Sequence, residues 1–253
     1  MPDAFFPLKT ESSSMQTMRF LSVMAVLALA AALARAELVT GEVACGPVSG
    51  PGAGVDMGPF DYRNPPPGKL QVVEAHHFTP RVASLKSGQS TATIGTDIDF
   101  TLRYFPNHHR ALNAMARLAE REKTDRPRGS SHTVACWFDR AVRKAPDDAQ
   151  ARLLYGIWLA KQGEKSLARE QLQVVADAEY RSPSTTYNMG LAYFQIGDHD
   201  KALEAAHAAY AQGFSLPGLK GMLSKVGKWT EPPPRAADKA PEADSAPAPE
   251  SAR

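Results

Sequence analysis

The sequence predicts an all-α protein: a helix–turn–helix solenoid with an extended N-terminal arm and a disordered C-terminal tail. The first observation behind this is a self-match at one offset. Gly156 recurs as Gly190, Gly163 as Gly197 and Ala168 as Ala202, each 34 residues on. Small residues at a fixed period mark places where the helices of a hairpin, and neighbouring hairpins, approach closely. Apolar residues keep the same offset, with Tyr155 matching Met189, Leu159 matching Tyr193 and Leu172 matching Ala206. The third observation is punctuation. Pro146 precedes Gly156 by ten residues and Pro106 precedes Ala116 by ten, and each proline interrupts the helical pattern at that point.

This pattern resembles the tetratricopeptide repeat, in which a large residue and Gly mark the first helix, two Ala positions flank a bulky one in the second, and Pro closes the unit. The resemblance implies three repeats, 109–148, 149–182 and 183–216, with Gly156, Ala168, Gly190 and Ala202 as packing positions. Leu112, Met115, Ala116 and Ala119 fall on the first helix of repeat 1, and Phe138 and Ala141 on its second. The 40-residue spacing of Pro106 and Pro146 implies six extra residues, which fit the polar stretch Glu122 to Ser131 as an enlarged turn.

Before the repeats, residues 1–36 read as a secretory signal peptide. Leu21 to Leu33 is an apolar run after Arg19, and Ala34-Arg35-Ala36 places small residues for cleavage before Glu37. The alternative is a membrane anchor, but a span needs about 20 apolar residues. Residues 37–68 form an arm rich in Gly and Pro, ending in Asn64-Pro65-Pro66-Pro67-Gly68. A helical module over 69–108, read as a degenerate repeat, contains a short helix from Leu70 to Phe78. A second helix is opened by Thr79-Pro80 and ended by Gly88, and a third is capped by Asp97 and stopped before Pro106. After the repeats, 217–229 reads as a capping helix, since a terminal repeat would otherwise expose an apolar flank. Residues 230–253 are Pro, Ala and charge, a composition that cannot bury a core.

Composition narrows function. Removing 1–36 leaves 26 bases and 25 acids, and near-neutrality argues against a nucleic-acid partner, whose binding depends on cationic neutralisation of phosphate. Two cysteines in an exported chain pair most simply as a disulfide between Cys45 and Cys136; two unpaired thiols are the alternative. In the family register Cys136 and Trp137 face outward, so the arm, carrying Phe60 and Tyr62, is expected to cover them.

The sequence has no GxSxG, P-loop, GxGxxG or HExxH motif. The pairs His76-His77 and His108-His109 are the candidates for chemistry. Adjacent helical residues diverge by about 100°, so each pair offers one ligand to a common centre, and no Cys pair or acid completes a structural zinc spacing. No metal, cofactor or catalytic residue is therefore assigned. The resemblance implies that the working surface is the inner groove, lined in the family register by Arg110, Asn113, Arg117 and Arg121 in repeat 1. Gln150, Leu153, Ile157 and Lys161 follow in repeat 2, and Ser184, Tyr187, Leu191, Phe194 and Gln195 in repeat 3. Basic at one end and apolar–aromatic at the other, such a groove suits a protein or peptide partner.

The stretches Phe60-Asp61-Tyr62-Arg63, His77-Phe78-Thr79-Pro80 and Phe105-Pro106-Asn107-His108-His109-Arg110-Ala111-Leu112 are also similar to a group of exported proteobacterial repeat proteins without an assigned activity. The expectation is a non-enzymatic periplasmic interaction scaffold. The alternative is an envelope metal-binding protein or enzyme using the His pairs.

Overall fold

The computed structural model describes residues 45–48, 58–179 and 181–232. Residues 1–36, expected to be a signal peptide, much of the segment 37–68 and the residues beyond 232 lie outside them. The described residues are all-helical, in two compact units divided between Tyr155 and Gly156.

The N-terminal unit holds α1 (Lys69–His77), α2 (Pro80–Ala83), α3 (Ile94–Tyr104), α4 (His109–Glu122), α5 (Val134–Lys144) and the start of α6 (Ala149–Lys161). Helix α2 is shorter than expected. It ends before Leu85, which takes a left-handed φ of 59°, and not at Gly88. Helix α3 packs against both α1 and α2. Its cap is Thr93, whose side chain accepts from Thr96 N–H, and not Asp97. Asp97 is buried one turn further in, where it accepts from Gln89 N–H and bonds His77. His108, and not Asn107, caps α4: its ring accepts from Ala111 N–H. Asp148 caps α6, accepting from Gln150 and Ala151 N–H.

The enlarged turn between α4 and α5 overturns one expectation. Trp137 is 0% exposed, not outward-facing. Buried Asp99 accepts from Ser131 N–H and from its hydroxyl, which draws the turn back onto α3. Ser130 Oγ then accepts from Trp137 Nε1–H at 2.9 Å, and the His132 ring lies 4.8 Å from the indole. The turn covers the indole; Phe60 and Tyr62 do not. Phe60 packs on Phe105 (5.8 Å between rings) and Tyr62 on His108 (4.2 Å).

Cys45 and Cys136 form a disulfide with Cα atoms 5.1 Å apart. Beside it Arg140 and Arg143 donate to the carbonyls of Cys45, Gly46, Pro47 and Val48. Residues 45–48 of the arm are thus held by one covalent bond and two guanidinium groups.

The C-terminal unit completes α6 and adds α7 (Lys165–Ala176), α8 (Pro183–Ile196), α9 (His199–Ala211) and α10 (Gly218–Lys225). Helices α6 and α8 begin 34 residues apart, as do α7 and α9. Gly163 and Gly197, one period apart, take left-handed φ values of 79° and 85° just after α6 and α8, a conformation glycine reaches without a Cβ penalty. The small residues sit where helices meet. A Cβ on Gly156 would come within 2.9 Å of Leu172, and one on Gly190 within 2.6 Å of Leu219 and 3.1 Å of Ala205. Ala168 and Ala202 are fully buried. Leu219 and Leu223 of α10 are buried in turn, the apolar seal expected of a terminal helix. Gly190→Leu is therefore expected to cost at least the about 1–3 kcal/mol typical of overpacking, read as a lower thermal unfolding temperature. Unchanged unfolding would contradict this packing.

Candidate partner-binding surface

The polar residues of the N-terminal unit divide into those that build the fold and those left open. Asn107, 0% exposed, is the hub of the first group. Its carbonyl oxygen accepts from Tyr62 N–H, and its amide donates to Asp61 and Asp148, each at 2.8 Å. Arg63 pairs with Asp61 at 2.7 Å and with Asp147 at 2.9 Å. Phe60 N–H donates to Tyr104 at the end of α3, so 60–63 is a strap across the ends of α3 and α4. Arg63 holds the Asp61 carboxyl well below the usual carboxylate range. Burial pushes Asp148 up, but the hydrogen bond from His109 and its charge outweigh this and lower it.

The histidines belong largely to the same framework. His77 bonds Asp97 at 2.9 Å and stacks on Phe100, and His109 bonds Asp148 at 2.9 Å. His108 is fully buried. Its Nδ1 accepts from Ala111 N–H, so its proton sits on Nε2 and donates to Glu74 at 3.1 Å. Burial, helped by the charges of Arg110 and His109, pulls its pKa down to about 3. His76 is exposed. Among the described residues no group of three or more His, Cys, Asp or Glu side chains is placed to hold a metal ion.

The open surface of the unit is a stripe on α4. Ala111, Leu112, Ala114, Met115, Ala116, Leu118 and Ala119 are buried; Glu122 is exposed at the helix end, and Arg110, Asn113, Arg117, Glu120 and Arg121 are exposed along its length. At 100° per residue these five span a stripe about 100° wide. Arg110 lies over Phe78 and 3.8 Å from Glu74, and Arg121 donates to Leu85 C=O. Asn113 and Arg117 have no hydrogen-bond or ionic partner among the described residues. Leu153, expected in the groove, is 1% exposed and belongs to the core.

In the C-terminal unit the open face of α8 is rotated by about one residue from expectation. Tyr187 is 6% exposed; its hydroxyl accepts from Leu219 N–H at 3.1 Å and its ring lies 4.4 Å from Phe214. The capping helix thus claims the aromatic end of the expected groove. Phe194 is half-buried beside His199 (5.0 Å). Ser184, Asn188 and Gln195 are exposed and Leu191 half-buried, at spacings that share one helix face. Ile157 is half-buried and Lys161 exposed.

The sequence reading missed the Asn107 hub and the seating of the strap. The one available signal was Asn107 beside Pro106 at a helix entry, where local rules make asparagine a competent cap. No protein-family model, curated protein or solved structure matches the chain.

Proposed function

We propose that the chain is a non-enzymatic interaction scaffold of the bacterial periplasm, built from tetratricopeptide-type hairpins, that binds protein or peptide partners on exposed helix faces: that of α4 in the N-terminal unit and, separately, that of α8 in the C-terminal unit. The observation that carries this reading is the α4 stripe. A helix whose apolar residues are buried keeps two polar side chains, Asn113 and Arg117, exposed and unpaired at its centre, and arginine is among the residues that dominate interface energetics. The 34-residue recurrence of helix starts supports the repeat assignment. The Cys45–Cys136 disulfide fits an oxidising compartment, and no described helix is long and apolar enough to cross a membrane. Engagement of His77, His108 and His109 with one carboxylate each supports framework roles for them.

The test places a photo-crosslinking residue at Asn113 or Leu191, with exposed Glu170 on α7 as control. Discrete adducts from the first two positions and none from the third are expected. Arg117→Ala is expected to weaken capture of the crosslinked partner about tenfold, or about 1.4 kcal/mol, with the helical circular-dichroism signal unchanged. Adducts of equal yield at Glu170, or none at Asn113 and Leu191, would overturn the assignment.

A further inference from the structure

A second feature of the N-terminal unit adjoins the partner-binding stripe and shares Arg121 with it. A cavity of about 400 Å3 opens between the turn after α2, the start of α3 and the end of α4, with Arg121 and Arg128 in its walls. Arg121 donates one N–H to Leu85 C=O at 2.6 Å, which fixes the guanidinium against the wall and leaves its other donors uncommitted. The backbone N–H of Arg128 donates to Glu122 at 2.8 Å, while its side chain has no partner among the described residues. Ser87 Oγ accepts from Arg81, so its own proton is free to donate into the cavity. Thr93 is occupied in capping α3, so the helix start forms wall rather than donor. Ala92 and Ile94 add an apolar side. Glu122 is the single acid in the lining, leaving a formal excess of one positive charge.

A guanidinium fork matches the planar or tetrahedral geometry of oxyanions, and arginine, of which the cavity lining holds two, is the residue preferred for such recognition. The volume exceeds that of a bare ion, and the apolar wall suits a short carbon skeleton. We propose that this cavity binds a small organic anion, a phosphate ester or carboxylic acid, with its oxyanion held by Arg121 and Arg128.

The test titrates the full chain with inorganic phosphate and, separately, with succinate at near-physiological salt, following the amide NMR signals of Gly88, Ala92, Ile94 and Arg128. Saturable shifts are expected for at least one probe. Saturation by phosphate alone assigns phosphate esters, by succinate alone carboxylic acids, and by both the shared oxyanion chemistry. Arg128→Gln removes a side chain without a structural partner, so it should weaken binding about tenfold while leaving thermal unfolding unchanged. Glu122→Gln keeps the acceptor for Arg128 N–H but removes the opposing charge, and should tighten binding several-fold. Unsaturable shifts with both probes, or an affinity unaltered by Arg128→Gln, would overturn the proposal. Neither result bears on the α4 stripe, whose unpaired residues lie outside the cavity.

Discussion

Replacing Cys45 and Cys136 by serine is expected to destabilise the N-terminal unit by about 4–5 kcal/mol. The bridge joins residues 91 positions apart, and closing a loop of that length removes about that much denatured-state entropy in the chain-entropy model. A second contribution acts in the folded state. Arg140 is 3% exposed, and its guanidinium is served by the carbonyls of Cys45, Pro47 and Val48. If that segment leaves, a buried cation loses its acceptors, and charged hydrogen bonds are worth about 1.5–3 kcal/mol each. Urea unfolding of oxidised wild type against the double variant measures the difference. In a chain of this size it corresponds to a fall in unfolding temperature on the order of 10 °C or more. A difference below about 1 kcal/mol would mean that Arg140 and Arg143 hold the arm without the crosslink.

Acidification is expected to destabilise the protein well before its carboxylates titrate. The His108 pKa is about 3 in the fold against an ordinary 6.5. Between those values the unfolded chain binds a proton that the folded chain refuses, so stability is complete above about pH 6.5 and falls as pH drops towards 3. At pH 4 the loss from this one group is about 3 kcal/mol. The local cause is visible: a protonated Nδ1 would point its proton at the Ala111 N–H that it now accepts from. His132, also pulled down by burial, acts in the same direction. The lowered carboxyls Asp61 and Asp148 contribute only as pH falls below their ordinary value of about 3.8, so the window from pH 6.5 to 4.5 isolates the histidines. Denaturant unfolding across that window should show a slope that His108→Gln reduces. A flat wild-type profile would contradict the neutral, buried ring.

The expectations that failed have a common form. Asp97 and Asn107 are both competent helix caps by local rules, yet each is drawn inward to serve groups elsewhere: Asp97 takes Gln89 N–H and His77, and Asn107 takes Tyr62, Asp61 and Asp148. Thr93 and His108 then cap the helices in their place. Trp137 was assigned outward because a standard hairpin leaves that face open, but the enlarged turn is long enough to fold back and close it. Tyr187 was assigned to the groove by register, and is instead consumed by α10, 32 residues further on.

What the sequence by itself determined is the all-α class, the order of the hairpins, the 34-residue recurrence of helix starts, and the close-packing role of Gly156, Ala168, Gly190 and Ala202. These follow from interactions local in the chain or repeated at one period: apolar spacing, caps, turn residues and the volume of one side chain. Only the tertiary structure decided which polar groups are spent on the fold and which are left open. Arg140 meets Pro47, Asn107 meets Tyr62 and Arg121 meets Leu85 across 93, 45 and 36 residues. A polar side chain has several competent partners within any one helix. Its choice is made by the desolvation cost of the group that would otherwise stay unpaired, and that cost exists only once the distant segments have come together.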